Sequence, residues 1–204
     1  MTEWLTPVTL GGVHVRLEPL SAAHHDALCE SVRDGELWKL WYTAIPEPAR
    51  MHDEIRRRLD EQDRGTMCPF TAIDPATGHA VGMTTYMNID RPNRRVEIGS
   101  TWYRRSAQRT ALNTEAKRLM LSHAFDDLDC VAVEFRTHFF NQKSRRAIER
   151  LGARLDGVLR NHQINLHPYA PGTMRDTCVY SIIAGEWPTV RANLDFTLTA
   201  ARPA

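Results

Sequence analysis

Between residues 95 and 152 strand-like and helix-like segments alternate, and this succession constrains the fold more than any other feature of the sequence. Residues 95–103 alternate apolar and polar side chains as a strand does, and a polar loop then leads into a helical pattern over 114–126. A strand at 131–135 and a helix at 144–151 follow, and Gly152 is suited to end that helix. This order predicts an α/β domain with a mixed sheet.

The flanking segments add antiparallel strands to this unit. The predicted elements are a strand at Val13–Leu17, a helix capped by Ser21 and running to Val32, a charged helix at 50–62, strands at 70–73 and 80–88 around a turn at 74–78, and last strands at 155–159 and 178–184. Together they predict one domain over residues 1–204, with its core at about 13–187 and a C-terminal tail at 188–204.

The composition disfavours several classes of protein. Lys and Arg number 26 against 25 Asp and Glu, and this net charge of +1 argues against a nucleic-acid-binding surface. We find neither a run long enough to cross a membrane nor a secretory signal, so we expect a cytoplasmic protein with no membrane partner. The four dispersed cysteines predict buried reduced thiols, and the histidine pattern predicts no metal site.

One loop is suited to bind an anion. The strand Val96–Tyr103 runs into a polar segment, Gln108–Thr114, which opens a helix. The first turn of a helix presents unpaired backbone N–H groups at the positive end of the helix dipole, which suits a pyrophosphate. An ordinary connection between a strand and a helix explains the same residues, so the loop alone does not decide between the two.

A second motif supports a family assignment. Asn141 follows a strand, Ser144 lies three residues later, and the helix ends in Leu151-Gly152. The first motif reads Gln108-x-x-Ala111-x-Asn113 and continues Thr114-Glu115-Ala116. In order and separation the two motifs resemble the GCN5-related N-acetyltransferase (GNAT) superfamily, and within it the branch of the ribosomal-protein alanine N-acetyltransferases. The resemblance extends from about Val13 to Trp187.

The resemblance implies a single GNAT-like domain, with a mixed, mostly antiparallel central sheet and helices on both faces, that uses acetyl-CoA as cosubstrate. The residues expected to contact CoA are Thr101, Trp102, Tyr103, Gln108, Arg109, Thr110, Ala111, Leu112, Asn113, Thr114, Asn141 and Ser144. Ala111 and Asn113 replace the usual glycines. We expect alanine to keep the backbone approach to phosphate and asparagine to tolerate a left-handed conformation. Ile148 replaces a tyrosine frequent in the family.

The resemblance also implies direct attack of a primary amine on the thioester. Glu97 is the candidate base for the amine, although a solvated glutamate beside Arg94 and Arg95 is the alternative. Ser144 is the candidate for protonating or hydrogen-bonding the leaving thiolate, and capping of its helix is a compatible role. A backbone N–H near Thr101 or Trp102 would polarise the carbonyl.

The acceptor side is less defined. Trp38, Trp41 and Tyr42 are expected to line one wall of an acceptor site, unless they belong to the core, and the loop 161–173 is expected to form the opposite wall. Asp34 and Glu36 either attract a cationic amine or are ordinary surface acids. The arginines expected at the rim of the CoA phosphates are Arg104, Arg105, Arg109, Arg145 and Arg146.

Three functions compete at this point. The first is an acetyl-CoA-dependent N-acetyltransferase acting on a protein N-terminus, a lysine or a small-molecule amine, with a homodimer left open. The second is a non-catalytic acyl-CoA-binding sensor or scaffold. The third is an arginine-rich RNA-associated protein, although the first hypothesis already assigns those arginines to the phosphates of CoA.

Overall fold

The computed structural model of the protein describes residues 4–200; residues 1–3 and 201–204, the two ends of the predicted domain, lie outside the described residues. The strands are β1 (Leu10–Gly11), β2 (Arg16–Pro19), β3 (Met67–Ile73), β4 (Ala80–Asp90), β5 (Arg95–Tyr103), β6 (Ala132–His138), β7 (Arg154–Ile164) and β8 (Met174–Ile183). The helices are α1 (His25–Arg33), α2 (Met51–Asp63), α3 (Ala111–Ser122), α4 (Gln142–Arg150) and α5 (Trp187–Ala200).

The eight described strands form one sheet in the order β1-β2-β3-β4-β5-β6-β8-β7. Strands β5 and β6 pair in parallel, whereas the other neighbours pair antiparallel. The predicted mixed, mostly antiparallel sheet is therefore confirmed. The single parallel pair lies where helix α3 connects β5 to β6, since parallel neighbours need a crossover connection.

Helices cover both faces of the sheet, as expected. On one face α1 and α2 bury Leu28, Val32 and Ile55 against the sheet residues Met83 and Trp102. On the other face, α3, α4 and α5 pack against the sheet and form a larger apolar cluster with the alternate residues of the same strands. The period-two alternation of the strands thus gives each face its own apolar layer.

Several boundaries differ from the predicted ones. The first long strand is Arg16–Pro19 rather than Val13–Leu17, because the amides of Val13 and Val15 donate to the Glu115 carboxylate (3.0 and 2.9 Å) instead of to a strand. Helix α3 begins three residues earlier than expected and ends in a π-helical turn at His123–Asp127.

The segment after Trp187, predicted as a C-terminal tail, contains a helix. Trp187–Ala200 forms helix α5, in which Val190 and Leu194 are buried in the larger cluster. An ion pair joins Arg118 of α3 to Asp195 (2.8 Å). The predicted limit of the packed core at Trp187 is thus wrong. The apolar residues of α5 are too few for the helix to stand out in the sequence.

The parallel pair opens after three residues. Arg95–Glu97 pair with Ala132–Glu134, yet β5 continues to Tyr103 and β6 to His138 without further pairing between them. We call the gap between residues 98–103 and 135–138 the wedge. Backbone N–H and C=O groups on its two edges have no neighbouring strand, so an extended ligand can pair with them.

Candidate active site

Glu97 is the last residue of β5 that pairs with β6, so its side chain lies at the closed end of the wedge. Glu97 is only 5% exposed. The Asn88 side chain donates to its Oε2 (2.6 Å), and the Arg136 Nε lies 3.5 Å from the same oxygen. The alternative of a solvated glutamate is therefore wrong, and Arg95 pairs with Glu134 (2.6 Å) instead.

Burial sets the proton affinity of this carboxylate. Desolvation raises the pKa of Glu97 above its ordinary value, while the Asn88 hydrogen bond and the Arg136 charge act in the opposite direction. A carboxylate with a raised pKa is a stronger base than an exposed one. Such a group suits removal of a proton from an amine near neutral pH.

A β-bulge follows Glu97 in β5. Thr85 pairs with Gly99 but Met83 pairs with Trp102, so β5 carries one extra residue between these pairs. Ser100 adopts a φ of 47°, in the left-handed region that most side chains avoid. The bulge changes the direction of the β5 backbone where the residues expected to face the thioester lie.

Two buried cations contact this bulge from opposite faces of the sheet. Arg58 of α2 donates to the Ser100 carbonyl (3.1 Å) and the Thr85 hydroxyl (2.7 Å), and it pairs with Glu54 (2.7 Å). Lys117 of α3 donates to the hydroxyls of Thr101 and Thr84 (2.8 and 2.9 Å). Neither cation was identified from the sequence as part of the site.

The loop before α3 is held from both sides. The Gln108 side chain donates to the Tyr103 carbonyl (2.9 Å). Thr110 is the N-cap of α3 and accepts from the Leu112 N–H (3.3 Å). On the other side, the Asp34 carboxylate accepts from the Ser106 N–H (3.0 Å) and from Arg104 (3.1 Å).

These contacts decide several expectations for the loop. Hydrogen bonds from Ser106 lower the pKa of Asp34, whose carboxylate thus holds the loop and is not free to attract an amine. Arg109, with a φ of 63°, is the left-handed residue. Ala111 and Asn113 lie in α3, so the left-handed conformation that we considered for Asn113 does not occur.

The second motif forms a helix N-terminus at the end of β6. Asn141 caps α4 by accepting from the Ser144 N–H (3.1 Å), and Ser144 is half-buried in the first turn. His138, the last residue of β6, is buried and accepts from the Phe140 N–H through Nδ1 (3.1 Å). Burial, together with the charge of Arg175, lowers the pKa of His138, so its imidazole is neutral near pH 7.

An aromatic cluster lies beside His138. The Trp41 ring centroid is 5.1 Å from that of His138 and 6.4 Å from that of Tyr169, and Tyr42 lies 6.4 Å from His138. The segment carrying Trp41 and the loop carrying Tyr169 therefore meet, and their role as two walls of an acceptor site stays a prediction. Trp38 is instead packed against the smaller core cluster.

The arginines expected at the rim divide into two groups. Arg104 pairs with Asp34, and Arg145 donates to the Tyr180 hydroxyl (3.0 Å) and stacks over Phe139. Arg105, Arg109 and Arg146 are exposed. Glu36 pairs with Lys39 (2.7 Å) at the surface.

The comparison with protein families agrees with this geometry. The profile of the acetyltransferase (GNAT) domain matches residues 14–154, more than half of the chain. The chain belongs to the GNAT family of N-acetyltransferases. The motif residues, the wedge and the bulge all lie within the matched range.

Individual relatives support the assignment. YdaF of Bacillus subtilis, whose name describes a ribosomal N-acetyltransferase, is 31% identical over 110 residues, which cover 54% of this chain and 57% of that protein. A GNAT structure from Brucella melitensis superimposes with a TM-score of 0.84 at 29% identity, covering 97% of this chain and 91% of its own. RimJ of Mycobacterium smegmatis, solved with CoA-disulfide, shares the fold, with a TM-score of 0.78 at 22% identity, covering 94% and 95%.

Three residues around Glu97 and the wedge were not singled out in the sequence. Arg136 and His138 lie beyond the predicted end of the strand at residue 135; extending the period of two from Glu134 would have placed them on the same face. Asn88 was assigned only to a strand.

Among the described residues no helix could span a membrane, no group of three or more His, Cys, Asp or Glu is placed to hold a metal, and all four cysteines are buried.

Proposed function

We propose that this GNAT protein transfers an acetyl group from acetyl-CoA to a primary amine by direct attack in a ternary complex. One observation carries the proposal: a buried carboxylate, Glu97, lies at the closed end of the wedge between β5 and β6, next to the bulge at Ser100. A carboxylate thus lies beside the unpaired strand edges on which an extended thioester would lie, and this position supports its assignment as the base.

The binding of CoA uses backbone groups. The pantetheine arm carries amide groups that pair with the free edge of β5 at Thr101, Trp102 and Tyr103, as an added strand does. The capped start of α3 at Thr110 offers N–H groups to the pyrophosphate, and Ala111 in helical conformation keeps that approach free of a bulky side chain. Leu112, Asn113 and Thr114 continue the same turn, and exposed Arg109 adds positive charge.

The chemical step needs three functions. Glu97 accepts a proton from the protonated amine, whose lone pair then attacks the carbonyl carbon; the C–N bond forms, the C–S bond breaks, and the second proton that the nitrogen loses goes to the leaving thiolate. The N–H groups near Thr101 and Trp102 hydrogen-bond the carbonyl oxygen as it gains negative charge. Ser144, in the first turn of α4 after Asn141, hydrogen-bonds or protonates the leaving thiolate.

The acceptor lies against the aromatic cluster. Trp41, Tyr42, His138 and Tyr169 form an apolar and aromatic surface near the open end of the wedge. Such a surface accommodates the first side chains of a peptide or the apolar part of a small amine. The names of YdaF and of the structurally similar RimL, a ribosomal L7/L12 acetyltransferase, favour a protein N-terminal amine. We place this reaction in the cytoplasm.

The test combines binding and turnover. We expect calorimetry to detect acetyl-CoA binding, and thiol release to depend on an amine drawn from a panel of N-terminal peptides and small amines. Glu97→Gln should lower kcat by about 10²–10⁴-fold without weakening acetyl-CoA binding. Glu186→Gln, which removes a carboxylate that pairs with Arg154 at the edge strand β7, is the matched control and should retain activity.

The outcomes separate the alternatives. Amine-dependent thiol release that is lost in Glu97→Gln supports the transferase. Because burial raises the pKa of Glu97, the acidic limb of the kcat profile should lie above the ordinary range of a glutamate. Binding without release for every amine favours the sensor or scaffold, and the absence of acetyl-CoA binding overturns the proposal.

A further inference from the structure

Lys117 is a buried cation that the mechanism above does not use. Its side chain is on α3 and its residue is 6% exposed. Its Nζ lies 2.8 Å from Thr101 Oγ1 and 2.9 Å from Thr84 Oγ1, and the two hydroxyl oxygens are themselves 2.8 Å apart. Thr101 immediately follows Ser100, the left-handed residue of the bulge. Lys117 therefore touches β5 where the carbonyl-polarising amides are expected.

No carboxylate within residues 4–200 lies at ion-pair distance from this ammonium group. Its helix neighbours are engaged elsewhere, since Glu115 accepts from the amides of 13–15 and Arg118 pairs with Asp195 of α5. On β4, Tyr86 donates to the Met120 carbonyl of α3, and on β5, Tyr103 lies beside Thr84; burial raises the pKa of both phenols, so both are neutral. Among residues 4–200 the charge of Lys117 thus has two hydroxyl partners and no compensating carboxylate.

We infer that Lys117 is a positioning residue for acetyl transfer: acting through Thr101 of the bulge, it places a positive charge beneath the carbonyl oxygen as that oxygen becomes negative. The inference rests on the proposed function. A charge held in a dry interior acts more strongly than one in water, and it needs no reorganisation as the reaction proceeds.

A purely structural role explains this lysine poorly. Burying an ammonium group with only two hydroxyl acceptors is unfavourable, and a methionine would fill a similar volume without that cost. Burial accordingly lowers the pKa of Lys117 to about 7. Half of the molecules would therefore carry the charge near neutral pH, and the electrostatic effect on the carbonyl should titrate in the same range.

The experiment follows the carbonyl directly. Acetyl-CoA labelled with ¹³C at the carbonyl is bound to the Glu97→Gln protein, so that turnover is slowed and Glu97 no longer titrates, and its ¹³C resonance is recorded from pH 6 to 9. We expect the resonance to move toward the unbound position as pH rises, with a midpoint near 7. Lys117→Met in the same background should abolish the titration, and Lys39→Met, which alters an exposed lysine, should preserve it.

Turnover provides the second measurement. In the otherwise unaltered enzyme, Lys117→Met should lower kcat about tenfold at pH 6.5 with little change in the KM for the amine, since the effect is on the transition state. Lys117→Gln, which keeps hydrogen bonding without a charge, should behave like Lys117→Met and guards against a folding defect in either variant.

The results that overturn the inference are distinct from those that overturn the function. A titration of the carbonyl resonance that persists in Lys117→Met and Lys117→Gln, or a kcat equal to that of the unaltered enzyme in both, contradicts the role of Lys117. Failure of the unaltered protein to bind acetyl-CoA overturns the proposed function itself.

Discussion

Arg58 and Lys117 contact the same bulge from opposite faces of the sheet, yet their surroundings differ. Arg58, which is 1% exposed, has the Glu54 carboxylate at 2.7 Å and also donates to a hydroxyl and a backbone carbonyl. Lys117 has two hydroxyl partners and no carboxylate among the described residues. One cation is neutralised where it lies, and the other is not.

This difference indicates two roles: a paired cation maintains the conformation of the bulge, whereas an unpaired one contributes to the electrostatic field around it. A buried cation paired with a carboxylate has little net charge to offer, but removing it leaves its partner uncompensated. An unpaired buried cation destabilises the fold and polarises whatever lies nearby. We therefore regard Arg58 as a structural support of the bulge and Lys117 as a contributor to its electrostatics.

Removing Arg58 should have the largest effect on stability. Arg58→Met deletes three hydrogen-bond partners and leaves Glu54 without the closest of its cations, so we expect the free energy of unfolding to fall by about 3–5 kcal/mol. Urea denaturation at pH 7 measures the change. Arg57→Met is the matched control, because Arg57 pairs with the same carboxylate from a half-exposed position and should cost less than about 1 kcal/mol. Equal losses in the two variants would contradict a special role for Arg58.

Removing Lys117 should raise, and not lower, the free energy of unfolding. Its folded-state pKa of about 7 is below the ordinary lysine value of 10.5, so the folded chain holds the charge at a cost that is complete below pH 7 and disappears as pH rises toward 10.5. Lys117→Met should therefore raise the free energy of unfolding by about 2 kcal/mol at pH 6 and have little effect near pH 10. Thermal unfolding at both pH values, with Lys39→Met for comparison, tests the sign; a loss of stability at pH 6 would show that the lysine is structural.

Removing the carboxylate that pairs with Arg58 makes its surroundings resemble those of Lys117 and so tests the comparison. Glu54→Gln keeps the volume of the side chain but removes the carboxylate, so Arg58 becomes a buried cation without a full counter-charge. We expect the free energy of unfolding to fall by about 1.5 kcal/mol, less than for Arg58→Met because the hydrogen bonds to Thr85 and Ser100 remain. Urea denaturation measures this change as well, and a loss as large as that of Arg58→Met would mean that the ion pair, not the contacts to the bulge, determines the stability.

The smallest expected effect on stability is that of removing the Thr84 hydroxyl. Thr84→Val removes one of the two hydroxyls that accept from Lys117 and should lower the free energy of unfolding by about 1 kcal/mol, with Thr101 still in place. Thermal unfolding at pH 7 is sufficient to detect it. Complete loss of acetyl-CoA binding in this variant would contradict the view that Thr101 is the residue through which Lys117 acts.

The sequence predicted most of the elements but not their contacts. The strands at 70–73, 80–88 and 95–103 and the helices at 50–62 and 144–151 were correctly identified because each has a clear period and a clear terminator. Helix α5 was missed because its apolar positions are sparse. The capping role of Asn141 and the C-terminal position of Gly152, with its φ of 102°, followed from residue type alone.

The candidate site was only partly predictable. Glu97 was identified through a family resemblance, and its catalytic role stays a prediction, whereas its burial could not be inferred from a strand that also carries Arg94 and Arg95 nearby. Arg58 lies in a helix so rich in charge that no single residue stands out. Lys117 lies one residue after Ala116 and three before Met120, within the apolar stripe of α3, and a lysine at that spacing was a signal that sequence reasoning could have used.

A structure of the Glu97→Gln protein with acetyl-CoA tests the central claim most directly. We expect the pantetheine arm to lie in the wedge between β5 and β6, with the carbonyl oxygen about 3 Å from the N–H of Thr101 or Trp102 and the pyrophosphate at the start of α3. Acetyl-CoA bound outside the wedge, or a carbonyl oxygen directed away from the bulge, would contradict both the proposed transfer and the role of Lys117.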